Sequence, residues 1–101
     1  MEVREVKEGD SLVLQVEGRV DTNTSPELQD KILKSFQKTT DLRLDLEKTA
    51  YISSAGLRAL LLGHKTARAK GGTLTIINVL PAVKEIFDVT GFSDILNIVQ
   101  E

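Results

Sequence analysis

The sequence predicts a single α/β domain spanning residues 1–101, with a mostly parallel sheet, an N-terminal β-hairpin and helices mainly on one face. Three observations predict it. Strand-like and helix-like periodicities alternate along the chain in the order β-β-α-β-α-β-α-β. Gly9-Asp10 separates the first two strand patterns as a hairpin turn. The central pattern Leu42-Arg-Leu-Asp-Leu46 alternates apolar with charged side chains. A parallel strand covered by helices on both faces would instead be continuously apolar.

Each element has its own signal. In the second strand Leu12, Leu14 and Val16 alternate with Val13, Gln15 and Glu17, so one face is expected to be buried, and residues near Val3 to Val6 form its hairpin partner. Ser25-Pro26 combines a capping serine with proline at the first helical position, and Leu28, Ile32, Leu33 and Phe36 follow at helical spacing. The central strand covers Leu42 to Leu46. From Ser54 onward, Leu57, Leu60, Leu61 and His64 share a helical face, and Gly71-Gly72 supplies the stop. Thr73 to Ile77 is the next strand. Pro81 opens a third helix with Val83, Ile86 and Phe87 inward, Gly91 ends it, and Ile95 to Val99 forms the last strand.

Composition narrows the function classes. With 41% hydrophobic residues in 101, one compact core is expected and a second domain does not fit. The net charge of −2 comes from 15 acidic and 13 basic residues without a basic block, so no nucleic-acid partner is expected. Absence of cysteine excludes disulfides and thiolate metal sites. The charged N-terminus has no signal-peptide pattern, and the longest apolar run, Ala59 to Leu62, is far shorter than a membrane span of about 20 residues. A cytoplasmic protein, free of membrane and monomeric when alone, is expected.

Right-handed strand–helix–strand connections bring the loops after successive parallel strands to one rim, where open α/β sheets usually bind ligands. The two polar loops on that rim are expected to be Arg19 to Ser25 and Glu47 to Ser54. Asp21, Thr22 and Asn23 are thereby placed near Ser53 and Ser54. Both serines fall at a helix start, where a side-chain oxygen can cap free amide groups or carry a phosphate near the positive end of the dipole.

Catalysis is not supported at this junction. His64, the chain's single histidine, lies ten positions beyond Ser54 on the same helix, roughly 15 Å along the axis, too far to act as its base. It reads as a core-edge residue or, less simply, as a ligand. Ile-Ser-Ser-Ala-Gly lacks the glycine two residues before the serine that a nucleophile elbow needs, and no phosphate loop or metal-ligand spacing is present. Asp45 and Glu47 read as the wet face of a strand. No enzyme activity, cofactor or metal is expected.

Gly18-Arg-Val-Asp21 after a hairpin, Leu-Asp-Leu at 44–46, Tyr-Ile-Ser-Ser-Ala-Gly-Leu at 51–57 and Pro81-Ala-Val-Lys-Glu-Ile-Phe87 before Thr90-Gly91 together resemble the STAS family, in particular bacterial anti-sigma factor antagonists. The resemblance covers nearly the whole chain. It implies partner switching: the unphosphorylated protein binds an anti-sigma factor serine kinase and releases the sigma factor, phosphorylation ends binding, and a PP2C-type phosphatase restores it. The phosphorylated residue would be Ser54, with Ser53 as the competing site. Many members have Asp-Ser-Ser-Gly or Asp-Ser-Thr-Gly at this point, whereas here Ser53 replaces the aspartate and Ala55 follows Ser54. The partner-binding residues would be Asp21, Thr22, Asn23, Ser53, Ser54, Gly56 and Arg58.

Several of these residues carry two readings. Arg58, four positions after Ser54, either meets a phosphate or is simply solvated. Asp21 either orients the serine and shapes the docking surface or closes a turn. The second reading of either serine is a helix cap alone, and a Ser54 cap would be worth up to about 1 kcal/mol. Two alternatives keep the fold: a non-catalytic STAS interaction module or small subunit of a transport complex without a phosphoswitch, and a nucleotide-binding rim, for which a phosphate loop is missing.

Overall fold

A computed structural model describes residues 1–99. Its elements are β1 (Glu2–Glu8), β2 (Ser11–Val20), α1 (Ser25–Ser35), β3 (Asp41–Ile52), α2 (Ser54–Ala69), β4 (Thr73–Ile77), α3 (Pro81–Thr90), a 3-10 turn (Phe92–Asp94) and β5 (Asn97–Val99). The strands form one sheet in sequence order, β1 antiparallel to β2 and every later neighbour parallel. Because each crossover steps one place in the same direction, right-handed connections put all three helices on one face. The element order and one-sided α/β architecture expected from the sequence are those observed.

The inner face explains why the helices stay there. Leu12, Leu14, Val16, Leu42, Leu44, Leu46, Leu74 and Ile76 form one cluster with Leu28, Ile32 and Phe36 of the α1 segment, Leu57 and Leu60 of α2, and Val83 and Phe87 of α3. Each fully buried side chain of this size contributes about 1.5–3 kcal/mol relative to exposure. On the opposite face the register lines up Arg4, Gln15 and Asp45, then Val6, Val13, Arg43 and Thr75. Val13 departs from the expected alternation, being buried at 4% exposure. Its cross-strand neighbours are Val6 and Arg43, whose side chains stand beside it on the pleat.

Other departures concern boundaries. The segment Glu47 to Ile52, expected as loop, continues β3, and Arg19 and Val20 belong to β2. The cap position of α1 is Thr24 rather than Ser25, and Ser25 and Pro26 occupy its first two positions. A 3-10 turn takes up Phe92 to Asp94, so β5 starts at Asn97 instead of Ile95. Leu61 and His64 are half-buried, while the helix buries Gly63 and Ala67 instead. Gln100 and Glu101, the end of the expected domain, lie outside the described residues.

The extension of β3 is irregular. Between the pairs Gln15–Asp45 and Val20–Ile52, β2 advances by five residues and β3 by seven, with register shifts on either side of the Glu17–Lys48 and Gly18–Thr49 pairs. Two bulges therefore place Leu46, Thr49 and Ile52 successively inward, at spacings of three. Thr49 is fully buried, and its hydroxyl donates to the Val16 carbonyl at 2.8 Å, satisfying an acceptor at the point where the ladder is interrupted.

Gly72 fixes the return from α2 to β4. A Cβ there would lie 2.1 Å from the Thr40 carbonyl oxygen, the same oxygen that accepts from the Thr73 amide at 2.7 Å. Gly72→Ala should therefore force backbone apart and lower stability by about 3 kcal/mol in urea unfolding. An unchanged midpoint would contradict this close approach.

Candidate functional site

The candidate site is the rim where β2 and β3 end side by side. Val20 pairs with Ile52, and the Ser53 amide donates to the Val20 carbonyl at 2.8 Å, so the turn after β2 and the start of α2 are neighbours. This sets Asp21, which follows Val20, next to Ser53 at the start of α2, with Thr22 and Asn23 further along the same turn. The first helical turn is drawn tightly against the strands by Gly56. A Cβ on Gly56 would stand 2.8 Å from both Ile52 Cγ2 and Val20 Cγ1, stiff β-branched side chains with little room to yield.

The two serines have different jobs. Ser53 has extended backbone, ψ 175°, and its hydroxyl accepts from the Gly56 amide at 3.3 Å, as a helix cap does. Its amide and carbonyl are also engaged, by Val20 and the Leu57 amide. Ser54 is the first residue of α2, is exposed, and its hydroxyl has no hydrogen-bond partner among the described residues. The cap expected at either serine is thus at Ser53, and the hydroxyl left available is that of Ser54. Gly56, expected to contact a partner, is buried and supports the rim from beneath.

Asp21 organises the turn after β2. Its Oδ1 accepts from the amides of Asn23 at 2.9 Å and Thr24 at 3.0 Å, while its own amide donates to the Thr24 hydroxyl at 2.9 Å. Among the described residues it makes no hydrogen bond to either serine. These bonds, the Thr24 amide first, hold its carboxyl below the ordinary value of 3.8 against the opposing effect of desolvation, with a smaller contribution from the Arg19 charge. Thr22 and Asn23 are exposed at the tip of the turn.

Two side chains complete the rim that residue patterns did not single out. Arg19 and Tyr51 are register partners, and the guanidinium carbon lies 4.4 Å from the ring centroid, a cation–π stack. The signal was present only as an arginine and a tyrosine in two segments that meet. Arg58, exposed on α2, takes part in no ion pair among the described residues. His64 is half-buried in a groove with Ala67, Arg68, Thr73 and Leu74, well along α2 from the serines. No cluster of three or more metal-ligating His, Asp or Glu side chains occurs among the described residues, and no helix there is long and apolar enough to cross a membrane.

Two outcomes follow from this geometry. Ser53→Ala should lower stability by about 0.5–1 kcal/mol through loss of the cap, whereas Ser54→Ala should change it by less than about 0.5 kcal/mol in chemical denaturation; the reverse order would place the cap at Ser54. Because the Asp21 carboxyl titrates lower in the folded chain, its stabilising effect is present above the unfolded value and is lost as pH falls through the folded one. An NMR titration should find its midpoint below 3.8, with the Asn23 and Thr24 amides moving together with it. A midpoint at or above 3.8 would refute the turn bonds.

Known proteins share this fold. The chain is 28% identical over 95 residues to the anti-sigma-B factor antagonist of Bacillus subtilis, covering 93% of this chain and 87% of that protein. An anti-sigma factor antagonist from Mycobacterium paratuberculosis superposes with a TM-score of 0.85 at 20% identity, over 96% of this chain and 83% of the other. The Bacillus cell fate determinant SpoIIAA in its phosphorylated form superposes with a TM-score of 0.76 at 17% identity, over 99% and 91%. The STAS domain model matches residues 2–101. From its hairpin to its last strand, this chain belongs to the STAS domain family.

Proposed function

We propose that the protein is an anti-sigma factor antagonist that works by partner switching, with Ser54 as the switch. The unphosphorylated rim binds an anti-sigma factor serine kinase, which then releases its sigma factor; the kinase phosphorylates Ser54, binding ends, and a PP2C-type phosphatase resets the rim. The observation that carries this reading is the exposed Ser54 hydroxyl at the first position of α2, unpartnered among the described residues, beside a serine whose hydroxyl is already used as the cap. The name of the Bacillus subtilis relative and the phosphorylated SpoIIAA structure support it.

Physical chemistry makes the release direct. A phosphate adds about −1.5 to −2 charges at neutral pH. The N-terminal turn of α2 tolerates that charge within the chain, whereas a closely docked partner surface would have to desolvate or repel it. A penalty of about 3 kcal/mol already weakens affinity by more than roughly a hundredfold. No rearrangement of the sheet is required, because Ser54 lies on the surface and its neighbours are held by Ser53 and Gly56.

Incubation with an anti-sigma factor serine kinase from the same genome and ATP should add one phosphate, located on Ser54 by mass spectrometry. Ser53→Ala should still accept it and Ser54→Ala should not. Full phosphorylation of Ser54→Ala would overturn the assignment.

A further inference from the structure

We infer that the Tyr51 ring, braced by Arg19, is the anchor that the kinase grips beside Ser54. This rests on the function proposed above and names a specificity-determining contact within it. Tyr51 is one of the exposed large apolar side chains, at 36% exposure, although it ends a strand whose adjacent Ile52 is buried at 2%. Val20 and Ile52 point into the core, so their neighbours Arg19 and Tyr51 stand on the helix-free face at the edge of the rim. The guanidinium, 4.4 Å from the ring centroid, covers one face of the ring and limits its rotation, leaving the rest presented to solvent.

Position ties this pair to the switch. Tyr51 lies three positions before Ser54 in sequence, which limits their Cα separation to about 11 Å even in extended chain. A standard interface covers about 800 Å² on each partner, a disc of about 16 Å radius. A kinase seated over Ser54 therefore covers Tyr51 and Arg19 as well. Tyrosine and arginine are among the residue types that most often carry interface energy, tyrosine because it buries a large surface at the cost of two side-chain torsions, arginine because its planar guanidinium both stacks and donates several hydrogen bonds. The stack already favours one arrangement of the two side chains in the free protein, which lowers the ordering required on docking. The partner surface that fits is an apolar recess for the ring with a carboxylate near Arg19.

The exposed Val89 provides an internal control. At 76% exposure it presents more of its surface than Tyr51, but it lies in the last turn of α3, about 12 Å along that helix from the rim at which Pro81 begins it. Exposure alone would favour Val89; the geometry favours Tyr51.

The test is the dissociation constant for the anti-sigma factor kinase measured with unphosphorylated native protein, Tyr51→Ala, Tyr51→Phe, Arg19→Ala and Val89→Ala. Tyr51→Ala should weaken binding by at least about tenfold and Arg19→Ala by about threefold or more, while Tyr51→Phe and Val89→Ala stay within about twofold. Thermal unfolding of each variant confirms that it is folded, and Arg19→Ala keeps the test decisive if Tyr51→Ala is not. Binding by folded Tyr51→Ala and Arg19→Ala within about twofold of native, with Ser54 phosphorylation still ending it, would overturn the anchor and leave the switch intact. Failure of the native protein to bind the kinase would overturn both.

Discussion

The rim depends on β3 staying paired with β2 while carrying two more residues than β2 offers. Extra residues in a strand normally break the ladder and leave polar groups unpaired inside the protein. Here the fully buried Thr49 returns a hydroxyl to the Val16 carbonyl, and Asp45 Oδ1 accepts from the Glu47 amide at 2.9 Å within the first irregularity. With those bonds in place β3 reaches Ile52 beside Val20, and the Ser53 amide continues the pairing. Every candidate residue of the site, from Arg19 through the Asp21 turn to Ser54, takes its position from that junction.

Such a junction suits a switch better than a catalyst. The Ser53 cap and the close approach of Gly56 hold the first turn of α2 firmly, and the Asp21 carboxylate holds the facing turn. The Ser54 hydroxyl, by contrast, has no hydrogen-bond partner among the described residues. A modification there changes charge at the surface without displacing a supporting bond, so the fold and the binding surface respond separately. That separation is what a reversible on–off contact requires.

The fold was legible in the sequence because its signals are local. Alternation at Leu42, Leu44 and Leu46 marks a one-sided strand, Pro81 and Gly91 bracket α3, and sequential crossovers leave one economical topology. The continuation of β3 was not legible, because the bulges put Leu46, Thr49 and Ile52 inward at intervals of three and erase the period of two. The division of labour between Ser53 and Ser54 was hidden for a similar reason. It turns on which residue is the last with extended backbone, a difference of one position that patterns do not resolve. The Arg19–Tyr51 stack depends on the shifted register and was invisible without it.

In the proposed switch, charge on the Ser54 hydroxyl, rather than a change of fold, controls binding. Its most direct test is the affinity for the anti-sigma factor kinase of two otherwise identical proteins, one unmodified and one with phosphoserine incorporated at position 54, with amide NMR spectra recorded for both. Affinity of the phosphoserine form should be lower by more than about a hundredfold, with spectral changes confined to the rim. Equal affinities, or loss of binding accompanied by shifts throughout the sheet, would contradict it.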